Sequence, residues 1–183
     1  MSTSEKSQPA APGKMVIFTA DSAPTLDETG MMDTPTYTEG GANDAPWPKE
    51  FAERSMAAAH LTVPFQQQGD GGFSLVSIDF GPGFLLPRHS HSSDCLYYIV
   101  SGTIIMGKRE LGPGDGFFLP KEQPYAYHAG AEGVKLLEFR HQASFDMKIY
   151  EKDMSRFREK AQESMDAAVT AVDFGRPRAD STS

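Results

Sequence analysis

The stretch PRHSHSSDCLYYIVSG, Pro87 to Gly102, places two histidines one residue apart and follows them with the one cysteine of the chain. A β-strand sends residues i and i+2 to the same face, so His89 and His91 are predicted to point into one space. Imidazole is the commonest nitrogen ligand for zinc, iron, copper and nickel. The pair therefore predicts a metal site, with two surface polar residues at a strand end as the alternative.

The residues on either side of this stretch predict an all-β domain. Between His60 and His141, short β-prone runs are separated by Gly- and Pro-rich segments such as GDGG, GPG, GPGDG and AGAEG. Many short strands with closely spaced turn signals are typical of a barrel or sandwich. The predicted strands are LTVPFQQQ, FSLVSIDF, LLPRHSH, CLYYIVSGTIIMG, GFFLP, YAYHA and VKLLEFRH.

The rest of the chain is predicted to extend this one domain. Residues 1–14 and 170–183 are poor in apolar side chains, which predicts disordered tails. Residues 15–59 are predicted to form an irregular arm that includes a short strand, MVIFTA, and ends in a short helix, PKEFAERSMAAA. The barrel is expected over residues 60–150 and a helix over 151–169. Apolar residues at helical spacing mark that helix: Met154, Phe157, Ala161, Met165 and Ala168.

Charge and cysteine content restrict the partners and the compartment. The chain has 17 Lys and Arg against 25 Asp and Glu, a formal charge of -8, without a basic cluster. Nucleic acid and anionic membranes are therefore not expected as partners. A single cysteine, no signal-peptide pattern and no apolar run near the roughly 18 residues of a membrane helix predict a cytoplasmic location.

Two motifs resemble those of the cupin superfamily. The first runs from Gly83 through five residues to His89-Ser-His91, then three residues to Cys95 and six to Gly102, and only the usual glutamate is replaced, by Cys95. The second runs from Gly114 through five residues to Pro120, but Glu122, Tyr125 and Ala129 replace its usual glycine, histidine and asparagine. The resemblance, over residues 60–141, implies a small single-domain RmlC-like jelly-roll barrel, a double-stranded β-helix.

The resemblance also implies one divalent transition metal ion, Fe, Zn, Mn, Ni or Cu, of whose four usual ligands this chain keeps His89 and His91. Three residues are candidates to complete the site. Cys95 is either a thiolate ligand or a buried apolar residue, and Tyr125 either a phenolate ligand or a hydrogen-bonding wall residue. His128 lies three residues after Tyr125 and would need a bulge to turn inward.

Further side chains are predicted to contact a small-molecule substrate. Tyr97 and Tyr127 would form an aromatic wall, and Arg88 or Arg140 would pair with a carboxylate if either points inward. Cysteine dioxygenases, which belong to the cupin superfamily, can cross-link a cysteine to a tyrosine, so Cys95 with Tyr125 or Tyr127 is a further candidate pair. Cys95 and Tyr125 are the predicted catalytic residues.

Three functions follow from these observations. The first is a metal-dependent enzyme that acts on a small organic molecule, foremost a dioxygenase or related oxidoreductase, with an isomerase or lyase also compatible. The second is a non-catalytic small-molecule-binding barrel that has lost its metal site. The third is a structural role in assembly, since cupins are commonly dimers, and a homodimer is expected in any of the three.

Overall fold

The structure is a computed structural model that describes residues 15–38, 49, 53, 57–67, 72–151 and 153–171. The two predicted disordered tails lie outside these residues, as does most of the predicted short helix, of which Lys49, Glu53 and Ala57 are helical. The described elements are mostly β-strands. They are β1 (Thr36–Tyr37), β2 (Ala59–Gln66), β3 (Ser74–Phe80), β4 (His89–Ser90), β5 (Cys95–Met106), β6 (Arg109–Leu111), β7 (Gly116–Leu119), β8 (His128–Arg140), β9 (Lys148–Ile149), α1 (Leu26–Thr29) and α2 (Met154–Ala171).

The strands form two sheets. The larger sheet is antiparallel, with the order β2-β3-β8-β5-β6 and with β7 paired to the start of β5. The smaller sheet has the order β1-β9-β4. Isolated bridges from Leu85 to His128 and from His89 to Tyr125 connect the segment that carries β4 to the segment that leads into β8.

Alternation along the strands sets one face toward the interior. In β3, Ser74, Val76, Ile78 and Phe80 are buried and the residues between them are partly exposed. In β5, the buried residues Cys95, Tyr97 and Ile99 alternate with exposed Leu96, Tyr98 and Val100. This period of two is what the short alternating runs predict. Together with the order of the elements, it confirms the predicted all-β barrel with an irregular N-terminal arm and a C-terminal helix.

The turn predicted at AGAEG is wrong, because β8 continues through it from His128 to Arg140. Gly133 lies there at φ 78°, and Gly102 of β5, at φ 71°, pairs with Val134 and lies close to the Gly133 carbonyl. The register of the β5–β8 pair shifts between Gly102 and Ile104. Two adjacent glycines with positive φ allow the ladder to absorb a bulge without ending the strand.

The N-terminal arm crosses the end of the barrel. The predicted strand MVIFTA is wrong, since Met15–Thr19 pair with no strand among the described residues and Ala20 begins a short 3-10 turn. Further on, a capping box between Thr25 and Glu28 starts α1, and β1 pairs in parallel with β9. The backbone amide of Asp33 also donates to the Phe145 carbonyl over 3.0 Å. Backbone hydrogen bonds thus hold the arm against the core.

Helix α2 confirms the predicted C-terminal helix, at Met154–Ala171. The Asp153 side chain accepts from the Arg156 amide and caps the first turn. Met154 and Ala161 are buried and Phe157 packs against the core, as the apolar stripe predicts. No helix in the described part of the chain is long and apolar enough to cross a bilayer.

Replacing Gly102 with alanine is expected to destabilise the fold by about 2–4 kcal/mol, measured by urea unfolding. The new Cβ would overlap the Gly133 carbonyl oxygen while the backbone stays at positive φ. Gly107→Ala is the matched control, since Gly107 has a φ of +62° with open space around its Cβ position. Equal losses in the two variants would contradict the close approach of β5 and β8.

Candidate functional site

The barrel encloses a cavity of about 480 Å³. Strands β2 and β3 supply an apolar wall, the arm lies on one side, and Ala161 of α2 reaches the cavity as well. Polar side chains enter it mainly from β4, β5 and β8 and from the segment before β8. They are His89, His91, Tyr97, Tyr125, Tyr127, Glu138 and Arg140.

His89 and His91 both point into this cavity. They lie two residues apart at β4, their side chains are buried, and their ring centroids are 5.0 Å apart. The backbone pairing of β4 with β9 fixes this short strand, because His89 lies opposite Ile149. The structure therefore brings the two histidines together as candidate ligands in one space.

Hydrogen bonds to main-chain carbonyls fix the tautomer of each histidine. Nδ1 of His89 lies 2.7 Å from the Pro87 carbonyl oxygen, and Nδ1 of His91 lies 2.6 Å from the Asp146 carbonyl oxygen. A carbonyl can only accept, so each Nδ1 carries the hydrogen and each Nε2 carries a lone pair. This is the arrangement found in metal-binding histidines, in which the second nitrogen is held by an acceptor.

Two tyrosine hydroxyls extend from His91. The Tyr125 hydroxyl lies 3.1 Å from Nε2 of His91 and 2.6 Å from the Tyr97 hydroxyl. Because Nε2 accepts, Tyr125 donates to His91 and Tyr97 donates to Tyr125. Reciprocal backbone bonds between His89 and Tyr125, both 2.9 Å, place the phenol beside the histidine pair. The result is a directed chain from Tyr97 through Tyr125 to His91.

Burial keeps these groups uncharged at neutral pH. Desolvation, with a smaller contribution from the Arg140 charge, lowers the pKa of His89 to about 4 and that of His91 to about 3. Desolvation also raises the pKa of Tyr125, partly opposed by its hydrogen bond to Tyr97, and raises the pKa of Tyr97 well above its usual value. Each group takes the form that costs least to remove from water.

Of the other predicted site residues, three do not line the cavity and two do. Cys95 is buried in β5, does not line the cavity, and has a thiol pKa raised by desolvation. His128 is partly buried at the start of β8, opposite Ile105, and Arg88 is exposed, and neither lines the cavity. Tyr97 and Tyr127 do line it, with rings 6.4 Å apart.

Arg140 is the arginine that points inward. Its side chain is buried, its Cζ lies 3.5 Å above the Phe145 ring, and it forms an ion pair with Glu138, two residues earlier on β8. Sequence reasoning did not single out Glu138 or Phe145. Alternation along the strand would have found Glu138, since residues i and i+2 share a face and Arg140 was already a candidate.

The arrangement of the strands and of the two motif segments decides the fold. The first motif supplies β4 and β5 and the second supplies β7, which pairs antiparallel with β5 from Cys95 to Tyr98. The histidines of the first motif and Tyr125 of the second meet inside the barrel. The fold is that of a cupin.

Comparisons with known proteins find similarity to solved structures. No protein-family model and no curated protein matches the chain. The solved structures similar to it include the polyketide cyclase RemF from Streptomyces resistomycificus, with 20% identity over 45% of this chain and 64% of that chain at a TM-score of 0.40. Another is the DMSP lyase DddQ from Ruegeria pomeroyi, with 21% identity over 53% and 51% at a TM-score of 0.42. An RmlC-like cupin from Shewanella frigidimarina shares 20% identity over 46% and 76%, with a TM-score of 0.38.

These similarities concern the fold alone. The chain spans less than two thirds of RemF and about half of DddQ. The cupin fold is assigned from the strand pairing and from the position of the two motif segments. Matches at these TM-scores add no support to that assignment.

The candidate donors for a metal in this barrel are two imidazoles and one phenol. Among the described residues, no group of three or more His, Cys, Asp and Glu side chains could hold a metal ion. The rings of His89 and Tyr125 are 4.3 Å apart and those of His91 and Tyr125 are 6.1 Å apart. The three side chains thus lie together, and their donor types would suit a metal ion that accepts nitrogen and phenolate oxygen.

The buried histidines predict a pH-dependent stability for the metal-free protein. Their folded pKa values, about 4 and about 3, lie below the usual 6.5, so between these limits the unfolded chain binds protons that the folded chain does not. The free energy of unfolding should therefore fall as pH falls below 6.5, by up to about 1.4 kcal/mol per pH unit for each histidine.

Urea unfolding at a series of pH values tests this dependence on chelator-treated protein. In His91→Gln the slope between pH 6.5 and about 4 should decrease by about one proton, because one of the two titrating groups is gone. His141→Gln, at an exposed position just after β8, is the control and should keep the wild-type slope. An unchanged slope in His91→Gln would contradict the neutral, buried state of that ring.

Proposed function

We propose that this cupin is a metal-dependent enzyme that acts on a small organic molecule bound in the 480 Å³ cavity, with His89, His91 and Tyr125 as the residues that would hold the metal. The reaction class is the one that the sequence resemblance implies, a dioxygenase or related oxidoreductase. The observation that carries the proposal is the fixed tautomer of both histidines beside Tyr125. A divalent transition metal would supply Lewis-acid and O2-binding chemistry at this place.

The protein supports this role by preparing the histidines before any ligand binds. Metal ligands must be deprotonated, and both imidazoles are already neutral because burial lowers the pKa of each. The carbonyls of Pro87 and Asp146 hold the rings in position. Outer contacts of this kind orient ligating histidines in metalloproteins.

The two tyrosines would control the third ligand position. In the structure Tyr125 donates its proton to His91, so this hydrogen bond must break before both residues can act as ligands. Tyr97 donates to the Tyr125 oxygen over 2.6 Å and would stabilise negative charge there. Tyr97 is therefore a positioning residue that acts through Tyr125.

The walls of the cavity would exclude water from a bound substrate. Met32, Pro35 and Tyr37 of the arm and the apolar side chains of β2 and β3 line it. A largely apolar cavity with a few converging polar groups is the usual form of a small-molecule site. The reaction would take place at the polar end, where the histidines and tyrosines meet.

A second function is favoured by the hydrogen bond between Tyr125 and His91. That bond occupies the lone pair of His91 Nε2, and burial raises the pKa of the Tyr125 phenol, so the site is satisfied by its own residues. The corresponding protein is a non-catalytic cupin that binds a small molecule without a metal.

Metal content of untagged protein distinguishes the two functions. The enzyme should contain about one ion per chain by elemental mass spectrometry, and His89→Ala and His91→Ala should lose it. Tyr97→Phe should lower metal affinity by roughly 10- to 100-fold, because it removes an outer contact and leaves the ligands in place. Cys95→Ala and His128→Ala are controls that should keep the ion.

Two results would change this assignment. Loss of the ion in Cys95→Ala would make the thiolate a ligand in place of Tyr125. No bound ion in wild-type protein, even after expression with added Fe, Zn, Mn, Ni and Cu, would leave the metal-free binding protein.

A further inference from the structure

Glu138 and Arg140 form a buried ion pair in the wall of the cavity. The exposed fractions of their side chains are 6% and 1%, and both side chains line the cavity. Neither residue belongs to the histidine and tyrosine cluster described above. Buried ion pairs are costly unless each partner is also well hydrogen-bonded, so this pair requires an explanation.

The pair retains hydrogen-bonding capacity that the described residues do not use. Nε of Arg140 has no hydrogen-bond partner there, and Nη1 of Arg140 and Oε1 of Glu138 contact only each other, as an ion pair. The Arg140 guanidinium also stacks over the Phe145 ring, which has no oxygen or nitrogen to accept a hydrogen bond. Leaving charged groups unsatisfied in a buried place is unfavourable, and a ligand with matching polar atoms would satisfy them.

Charge balance then selects the type of ligand. Among the described residues that line the cavity, the charged side chains are Glu138 and Arg140, which are buried, and Asp27, which is exposed at the arm. The buried part therefore has one positive and one negative charge, which are adjacent. A simple carboxylate would add an uncompensated negative charge beside Glu138, whereas a ligand with both signs leaves the total unchanged.

We propose that the cavity binds a small zwitterion with a carboxylate and an ammonium group on neighbouring atoms, as in an α-amino acid with an apolar side chain. The carboxylate pairs with Arg140, the ammonium pairs with Glu138, and the side chain lies among the apolar residues of β2 and β3. Adjacent charges on the protein match adjacent charges on the ligand. This inference rests on the proposed function only in taking this cavity as the binding site, and it requires no metal.

Calorimetric titration of the full chain with three matched probes tests the proposal. Leucine has both charged groups. Isocaproate lacks the ammonium group of leucine, and isopentylamine lacks its carboxylate. Leucine should bind roughly 10- to 100-fold more tightly than either of the others, because each omitted group leaves one buried charge without its partner. Equal affinities for the three probes, or no saturable binding of leucine, would overturn the proposal.

Variants of the pair give a second readout. Glu138→Gln should reverse the preference, so that isocaproate binds more tightly than leucine and raises the melting temperature more than it does in wild-type protein. The double variant Glu138→Gln with Arg140→Met removes both charges, keeps similar volume, and should abolish discrimination among the probes. Glu132→Gln, at an exposed position on the same strand, is the matched control and should behave as wild type.

Each titration is performed on metal-loaded and on chelator-treated protein. Selective leucine binding in both states supports the zwitterion site even if no metal is found in the protein as purified. Metal binding with no preference for leucine would overturn the zwitterion site and leave the metal assignment in place. The two proposals can therefore fail separately.

Discussion

The antiparallel pairing of β5 with β8 is the constraint on which the rest of the structure depends. These are long strands, Cys95–Met106 and His128–Arg140, and their register sets Tyr97 opposite Glu138 and Cys95 opposite Arg140. Shifting the register by one residue would turn every side chain to the opposite face. The same ladder therefore places Tyr97, the first residue of the hydrogen-bonded chain, and both members of the ion pair on the wall of one cavity.

Burial gives the cavity its electrostatic character. It acts in opposite directions on the two kinds of titratable group, lowering the pKa of the histidines and raising that of the tyrosines, and in both cases the neutral form results. The ion pair keeps its charges because each partner stabilises the other. A buried wall with one ion pair and a row of neutral donors and acceptors can orient a small polar molecule strongly.

Sequence patterns predicted the parts of the fold that depend on local alternation. Periodicity can be read directly from a single sequence. It predicted the strand runs, the inward side chains of β3 and β5, and the helix from Met154. The turn predicted at Ala129–Gly133 was wrong because a glycine serves a bulge as well as a turn, and only the partner strand decides between them. Within the site, the HxH spacing predicted that His89 and His91 share a face. The choice between Arg88 and Arg140 depended on tertiary placement that spacing does not contain, and Glu138 follows from alternation once Arg140 is known to point inward.

The arm couples occupancy of the cavity to its own local unfolding. It is held on the barrel by backbone hydrogen bonds, such as Val63 N to Pro24 O at 2.8 Å and Asp33 N to Phe145 O at 3.0 Å, and by the buried side chains of Leu26 and Met31. Leu26, Met32 and Tyr37 also contribute to the cavity wall. A molecule bound inside contacts this wall only while the arm is in place. Binding and arm opening are therefore linked equilibria, and the free energy of opening increases by the free energy of the contacts that opening would break. For this barrel, the residence time of a ligand would then depend on residues 15–38 as much as on the strands.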